Sequence, residues 1–263
     1  MKRGISIRRL WVFDFDGTLS PLVPDRTVAR LHPASLALLK DLVADPRDRI
    51  AVLSSRTLED IVPRVPVPQV YLGGGCGLEW RIPGGDRIFP GKKAERKMEE
   101  RRGGFLRLLE RFAAFPGVEL EDKRYSVAIH FRRVLPEARP VLFPLLAELK
   151  RHPGIRCYEG HSVAEVLFIP SANKSFGLRR LCRLLDFDSS RGRILYAGDD
   201  ENDATAMRWV LSRKGTVFAV GGMLKIAGAR YADGPASLAR GVRELQGIPG
   251  SVQTKTRRIE AAG

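Results

Sequence analysis

The sequence predicts an α/β protein with a Rossmann-like core, in which helices cover both faces of a parallel sheet, and an inserted α+β unit. Short apolar runs typical of buried parallel strands alternate with helical patterns. Several of these runs end in polar clusters, the first of them in LWVFDFDGTLS. From about residue 83 the pattern changes to charged helices and alternating strands. We therefore assign residues 1–82 and 170–263 to the core and residues 83–169 to the inserted unit.

The first part of the core is predicted to contain three strands and one helix. Leu10 to Phe13 form the first apolar run, and residues 50–53 and 69–73 form two more. Between the first two strands, His32 and Pro33 open a pattern with apolar residues at helical spacing, which should end near Pro46. Strands that alternate with helices in this way favour parallel pairing.

The inserted unit is predicted to contain two helices and three strands. Residues 92–115 form a charged helix with one apolar face, which we expect to break or kink at Gly103 and Gly104. Residues 121–133 alternate strongly enough to form one strand with a solvated face. A second helix is predicted over residues 140–150, with strands near 155–158 and 163–169.

The alternating pattern resumes in the last third of the chain. Leu178, Leu181 and Leu185 mark a helix, RILYAG forms a strand that runs into an acidic cluster, and Met207 and Val210 continue as a helix. TVFAVGG is predicted to be the final strand. The polar segment 251–263 is predicted to be a flexible tail.

Composition limits the possible functions. The chain has 263 residues, of which 44% are hydrophobic, so it can form a packed core. No apolar run is long enough for a membrane span. The three cysteines are odd in number and widely spaced, which favours a reducing cytoplasm over a disulfide framework. We expect a monomer.

The net charge of +15 has several possible explanations. Arginines are scattered among acidic residues, a pattern typical of a solvated surface rather than a nucleic-acid stripe. A field that attracts phosphorylated small molecules is the next explanation, and nucleic-acid binding is the least favoured.

Acidic residues follow two predicted parallel strands, at the edge where open α/β sheets bind their ligands. Asp14 and Asp16 follow the first strand, and a second cluster follows RILYAG. Taken alone, the segment has a less favoured alternative, in which the strand simply runs into an Asp-Gly turn. Several carboxylates in one place are costly without a cation, and Mg²⁺ prefers oxygen ligands. The candidate ligands are Asp14, Asp16, Asp199, Asp200 and Asp203.

Other polar residues complete a possible phosphoryl-transfer site. The hydroxyl of Ser54 follows the second strand, and Lys174 starts a helix whose backbone N–H groups also favour anions. Arg56 would brace this loop or the phosphate. Asp14 is the candidate nucleophile, and Asp16 can protonate the leaving alkoxide and then activate water.

These segments resemble the signature motifs of a known family. DFDGTLS, LSSR, the isolated Lys174 and GDDENDATAM are similar to the four motifs of the haloacid dehalogenase superfamily of phosphohydrolases, in the same order. The resemblance spans almost the whole chain. It implies Asp14 as nucleophile, Asp16 as acid/base, Ser54 and Lys174 as phosphate-binding residues, and Asp199, supported by Asp203, as a magnesium ligand.

A finer resemblance is to trehalose-6-phosphate phosphatases, which carry an α/β cap in the position of the inserted unit. EDKRYSVAIHFR is similar to their cap segment, which implies that Glu121 and Lys123 contact the sugar, although a surface ion pair is an equally good interpretation. His130 is either structural or lines the cleft.

Two positions depart from the pattern of that subfamily. Cys76 stands where histidine is usual in GGGCGLEW, and we expect it to be a packed side chain rather than a reactive thiol. Leu167 stands at the usual glutamate position. Glu165 is close in sequence, but we expect it to point in a different direction.

The sequence therefore predicts a magnesium-dependent phosphatase whose substrate is a small phosphorylated sugar, with trehalose 6-phosphate as the first candidate. Sucrose phosphate, mannosylphosphoglycerate and glucosylglycerol phosphate are alternative substrates, and a phosphosugar mutase is an alternative reaction. A basic nucleic-acid-binding protein is a more distant alternative.

Overall fold

The computed structural model describes residues 7–160 and 162–247. The predicted flexible tail, residues 251–263, lies outside this range. The described chain forms an eight-stranded sheet and a separate four-stranded sheet, each covered by helices. This arrangement confirms the predicted α/β class.

The large sheet has the strand order β12-β11-β10-β1-β2-β3-β4-β5. Neighbours from β12 to β3 pair in parallel, and β4 and β5 add an antiparallel edge. The strands are β1 (Arg9–Phe13), β2 (Asp48–Leu53), β3 (Tyr71–Gly74), β4 (Glu79–Arg81), β5 (Arg87–Ile88), β10 (Ile194–Gly198), β11 (Thr216–Val220) and β12 (Arg230–Ala232).

Helices cover both faces of this sheet, which is why β1 is apolar at every position from Leu10 to Phe13. Trp11 and Phe13 pack toward one layer of helices, and Leu10 and Val12 pack toward the other. The first layer contains α1 (Pro33–Leu42) and α7 (Pro235–Gln246), and the second contains α5 (Lys174–Leu184) and α6 (Glu201–Ser212). The short helix α2 (Leu58–Ile61) follows β2.

The position of β1 determines where polar side chains meet. β1 lies between β2 and β10, and all three run in the same direction, so their carboxyl ends share one edge. Asp14, Ser54 and Asp199 each follow one of these strands. The fold therefore brings together segments that are up to 185 residues apart in the chain.

The small sheet contains the predicted alternating segment, but as a hairpin rather than one strand. Its order is β6-β7-β9-β8, with all pairs antiparallel. The strands are β6 (Glu119–Asp122), β7 (Ser126–His130), β8 (Arg156–Gly160) and β9 (Val163–Leu167). Residues 123–125 form the turn between β6 and β7, with Arg124 at a positive φ of 69°. The prediction of one strand over 121–133 was wrong because alternation alone does not reveal such a turn.

Two helices pack on one face of the small sheet. They are α3 (Lys92–Ala113) and α4 (Arg139–Arg151). The expected break at Gly103 and Gly104 is wrong, because α3 continues through both residues. Its apolar residues, among them Leu109 and Phe112, are buried against the sheet and hold the helix in place despite the low helix propensity of glycine.

The large sheet also contains elements that the sequence analysis missed. β5 joins it through Arg87 and Ile88, which lie beyond the predicted boundary at residue 82. β12 follows β11, so TVFAVGG is not the final strand. The two-glycine turn at Gly84 and Gly85 was a signal for β5. The helical spacing of apolar residues was a signal for α7, which the sequence analysis also missed. The division into core and cap as stated remains a prediction.

No helix in residues 7–160 and 162–247 is both long and apolar enough to cross a membrane.

Helix α5 starts unusually close to the turn after β3. A Cβ atom on Gly177 would lie 2.1 Å from the backbone oxygen of Cys76, and one on Gly77 would lie 2.5 Å from the Cα of Gly177. Two glycines are therefore needed for this approach. The approach also sets the position of Lys174, the first residue of α5.

We expect Gly177→Ala to destabilise the protein by about 1–3 kcal/mol, because the added methyl group overlaps the Cys76 carbonyl. Gly104→Ala is the matched control, since it also lies inside a helix but has nothing within 4 Å of the added Cβ. The control should gain about 0.5–1 kcal/mol from helix propensity. Chemical unfolding of both variants measures the difference, and equal effects would contradict the close packing.

Candidate active site

A buried lysine links an acidic group at the end of β1 with another in the first turn of α6. The Nζ atom of Lys174 lies 2.6 Å from Oδ1 of Asp14 and 2.6 Å from Oδ1 of Asp203. All three side chains are at least 95% buried. Tyr196 also donates its hydroxyl to Oδ1 of Asp203, at 2.5 Å. Charge-assisted hydrogen bonds therefore fix the position of this ion cluster.

The start of α6 orients the second acidic group. Asp200 caps the helix by accepting the backbone N–H of Asp203, and the Asp203 carboxylate accepts the N–H groups of Asp199 and Asp200. Asp199 packs against Gly17, where a Cβ atom would lie 2.1 Å from Oδ2 of Asp199. Gly17 also has a φ of +78°. The glycine is thus required both by the turn and by the close approach of the acid.

The carboxyl groups carry more negative charge than Lys174 neutralises. Burial raises the pKa of Asp14 well above its usual range, Lys174 offsets part of this rise, and Asp203 adds to it. Burial and the neighbouring Asp14 likewise raise the pKa of Asp199. The pKa of Asp200 rises to about 7, first through burial and then through Asp203. An added cation would relieve this repulsion.

Three of the predicted metal ligands lie together. Asp14, Asp199 and Asp203 each offer an oxygen atom, and these oxygens lie within 4.8 Å of one another. A set of carboxylate oxygens suits a hard divalent cation. The structure places Asp16 and Asp200 beside this group, but not within it.

Arg56 holds Asp16 through two hydrogen bonds, from Nε and Nη2, each of 2.6 Å. Its Nη1 atom donates to Asp60 at 2.5 Å. Burial alone would lower the pKa of Arg56, but the hydrogen bonds to Asp16 and Asp60 raise it. In this structure, the predicted phosphate ligand Arg56 therefore braces the acids and the loop after β2.

Ser54 is the first residue of that loop. Its side chain is buried and accepts the backbone N–H of Arg56 at 3.1 Å, and its carbonyl accepts the N–H of Cys76. Ser54 is held in place at the sheet edge, on the strand next to the one that carries Asp14.

The two faces of the small sheet differ in character. Val127, Ile129 and Val166 point to the helices α3 and α4. Side chains alternate between the two faces along each strand, so the neighbours of these residues in sequence lie on the opposite face. The register pairs those neighbours across the sheet. They include Glu121, Ser126, His130, Tyr158, Glu165 and Leu167.

Glu121 and His130 lie at the edge of this polar face. The Nε2 atom of His130 lies 3.0 Å from Oε2 of Glu121, and Glu121 also accepts a hydrogen bond from Arg26 of the large-sheet unit. Arg26 is in addition paired with Asp60 at 3.4 Å. Burial, together with the charges of Lys123 and Arg26, lowers the pKa of His130 to about 4.

Lys123 and Glu165 form a buried pair on the same face. The Lys123 Nζ atom donates to Oε2 of Glu165 at 2.7 Å, and Ser126 donates to the other carboxylate oxygen. The expectation that Glu165 and Leu167 point in different directions was wrong. They are two residues apart on β9 and therefore share a face.

Cys76 and Leu167, the two positions that depart from the subfamily pattern, pack together with Tyr158. We call these three residues the Cys76 cluster. Burial raises the pKa of the Cys76 thiol to about 12, in agreement with a packed and unreactive side chain. Asn202 donates its Nδ2 to the Cys76 sulfur at 3.4 Å.

Several residues of the site were missed by the sequence analysis. Arg26, Asp60 and Tyr196 have no motif, and their roles depend on contacts between distant segments. For Glu165, the two-residue spacing from Leu167 was a usable signal.

The fold and the acidic site define a class. A haloacid dehalogenase-like hydrolase from B. subtilis superposes with a TM-score of 0.64 over 90% of this chain and 99% of its own length, at 13% identity. The C-terminal domain of the trehalose-6-phosphate phosphatase from C. albicans superposes with a TM-score of 0.77, covering 92% of this chain and 93% of that chain at 21% identity. This chain therefore shares its fold with both of these proteins.

The sequence comparison identifies a specific family. The trehalose-phosphatase family model matches residues 12–228, which is most of the chain, so this protein belongs to the trehalose-phosphatase family. The trehalose-phosphate phosphatase of Mycobacterium tuberculosis is 32% identical over 198 residues, covering 74% of this chain and 49% of the relative. This chain spans about half the length of that relative.

We expect stability to fall as the pH drops from about 6.5 to about 4, because the unfolded chain binds a proton at His130 more readily than the folded protein does. The loss attributable to His130 should be roughly 1–3 kcal/mol, allowing for its partial exposure. Chemical unfolding at pH 7.5 and pH 4.5 measures it.

The variant His130→Gln keeps a donor for Glu121 and should lose less stability over this pH range. His152→Gln is the control, because it changes another histidine and leaves His130 in place. The same loss in wild type and in His130→Gln would contradict the assignment.

Proposed function

We propose that this protein is a magnesium-dependent phosphatase that hydrolyses trehalose 6-phosphate through an aspartyl-phosphate intermediate. The observation that supports it most directly is the Lys174 ammonium, held at 2.6 Å from both Asp14 and Asp203 at the carboxyl edge of the sheet. A nucleophilic carboxylate needs such neutralisation to approach a phosphate dianion.

The carboxylate set fits Mg²⁺. Asp14, Asp199 and Asp203 would hold the ion. Burial, and then the neighbouring carboxylates, raise the pKa values of Asp14 and Asp199, and a bound cation would favour their charged forms. Asp16 and Asp200 remain predicted ligands that lie outside this set. When bound, Mg²⁺ supplies charge stabilisation for the phosphoryl group.

In the first step, Asp14 attacks the phosphorus atom and the sugar oxygen leaves. Ser54 donates its hydroxyl to a phosphate oxygen, and Lys174 balances the charge of the attacking carboxylate. The distance of 2.6 Å between Nζ of Lys174 and Oδ1 of Asp14 supports this role, because the ammonium group already contacts the carboxylate. The N-terminal turn of α5 adds backbone N–H groups that favour the anion.

Asp16 serves as the acid and then as the base. It protonates the departing sugar alkoxide and, in the second step, removes a proton from the water that attacks the aspartyl phosphate. The Asp16 side chain is 37% exposed, whereas that of Asp14 is 5% exposed, so Asp16 can reach the leaving group and water more easily. Arg56 fixes its orientation.

The polar face of the small sheet supplies groups for a sugar. Glu121, Lys123, His130 and Glu165 offer both donors and acceptors, as hydroxyl groups of a disaccharide require. Within the protein these groups pair with one another and with Arg26, so a sugar would replace existing hydrogen bonds.

We expect Asp14→Asn to lower phosphate release from trehalose 6-phosphate by at least about 10⁴-fold, because an amide cannot form the acyl phosphate. The variant should remain folded. Asp86→Asn, in the turn between β4 and β5, is the control and should retain activity. Measurement of free phosphate with and without Mg²⁺ tests the assignment, and near-normal turnover by Asp14→Asn would overturn it.

The substrate is tested by a panel that adds sucrose 6-phosphate, glucose 6-phosphate, mannosylphosphoglycerate and glucosylglycerol phosphate. A higher kcat/KM for one of these than for trehalose 6-phosphate would change the proposed substrate and leave the chemistry intact.

We expect Glu121→Ala to raise KM for the sugar phosphate by about 10-fold, while KM for an aryl phosphate changes little, because the aryl group does not use the polar face. The control is Glu110→Ala, since Glu110 is exposed on α3, which packs on the opposite face of the small sheet. Steady-state kinetics with both substrates measures the effect. Equal changes for the two substrates would remove Glu121 from sugar recognition.

A further inference from the structure

Tyr158 has a buried hydroxyl group with no hydrogen-bond partner in residues 7–160 and 162–247. The residue is only 3% exposed, and its hydroxyl oxygen has no hydrogen bond to any described residue. Burying an unpaired hydroxyl destabilises the folded state, so such groups in folded proteins call for an explanation.

The ring of Tyr158 is held from several sides. It packs with Cys76 and Leu167 in the Cys76 cluster, and the guanidinium of Arg156 lies over it at 5.4 Å from the ring centroid. A ring fixed in this way presents its hydroxyl in a defined position at little further entropic cost.

The register of the small sheet places Tyr158 among the sugar-binding candidates. Glu121, Ala128, Glu165 and Tyr158 are directly paired across β6, β7, β9 and β8, so they form one row on the polar face. Glu165 in this row carries the Lys123 ion pair. Tyr158 lies at one end of this row, and its strand β8 packs beside α6 of the large-sheet unit.

The other side of the Cys76 cluster belongs to the catalytic unit. Cys76 donates its backbone N–H to the carbonyl of Ser54 at 2.9 Å, and its sulfur accepts a hydrogen bond from Asn202, next to Asp203. The Oδ1 atom of Asn202 is also buried and has no partner among the described residues. Tyr158 and Asn202, each with a buried polar atom that has no partner among the described residues, therefore both contact Cys76.

A sugar hydroxyl can act as a hydrogen-bond partner for either atom. It can accept a hydrogen bond from a phenol and donate one to an amide oxygen. A phosphate dianion can accept a hydrogen bond from the phenol. It has no proton to donate, so it cannot pair with the amide oxygen. A ligand that pairs with both atoms would therefore be a polyol rather than a second anion.

We propose that Tyr158 is a specificity-determining residue that hydrogen-bonds a hydroxyl group of the sugar in the substrate. This inference rests on the proposed phosphatase function and adds a contact that involves Tyr158 and Asn202 at the boundary between the two sheets. It also gives the Cys76 cluster a role, since the small thiol and Leu167 support the ring.

The test is Tyr158→Phe, which removes one oxygen atom and keeps the ring. KM for trehalose 6-phosphate should rise about 5- to 10-fold, the effect of one lost hydrogen bond, while KM for p-nitrophenyl phosphate remains unchanged. The melting temperature should stay equal or rise, because the unpaired hydroxyl is gone. Weaker sugar binding by a variant that is at least as stable is a result that a purely structural role does not produce.

Tyr125→Phe is the matched control, because the hydroxyl of Tyr125 is bonded to Glu79 at 2.9 Å and to Glu95 at 3.0 Å. This variant should lose stability and keep the wild-type ratio of the two KM values. A lowered melting temperature for Tyr158→Phe, or equal KM changes for both substrates, would overturn the assignment of Tyr158.

The two proposals fail in different ways. If the wild-type protein prefers another sugar phosphate of the panel, the same comparison is made with that compound, and only the substrate assignment changes. If the wild type releases phosphate from none of the compounds, the proposed function and the Tyr158 contact both fall. If the wild type is active and Tyr158→Phe has normal kinetics, only the Tyr158 contact falls.

Discussion

The position of one ammonium group between two buried carboxylates determines how the rest of the site is arranged. Lys174 can reach both Asp14 and Asp203 because β1 and β10 are neighbours in the sheet and α5 starts beside their carboxyl ends. The paired glycines at 77 and 177 permit this start. Without the ammonium, both carboxylates would be buried and unpaired, which costs several kcal/mol. The close approach of the α5 backbone to the turn after β3 therefore places the ammonium group that both carboxylates need.

The same balance of charge explains why the site suits a cation. One ammonium group cannot neutralise Asp14, Asp199 and Asp203 together, and burial denies them solvation by water. Asp16 avoids this problem because Arg56 binds it through two hydrogen bonds. The acids thus fall into two groups: one paired with a fixed arginine, and one that keeps unbalanced negative charge at the edge of the sheet.

In the small sheet, the polar groups pair with one another on one face. Its apolar face packs on α3 and α4, and its opposite face carries the Lys123 to Glu165 pair and the Glu121 to His130 contact. Arg26 links this face to the large-sheet unit through Glu121. Ion pairs of this kind add little net stability, but they hold donors and acceptors in fixed positions. Such positions are what selective recognition of a polyhydroxylated ligand requires.

The sequence by itself determined the α/β class, most strands and helices, and the identity of the acidic cluster, because apolar runs that end in carboxylates are local patterns. Tertiary structure alone decided that Arg56 binds Asp16, that Glu165 pairs with Lys123, and that residues 119–130 form a hairpin. It also decided that α3 continues through Gly103 and Gly104. These features depend on packing and charge pairing between segments far apart in the chain, and local periodicity carries no information about which distant partner will satisfy a buried charge.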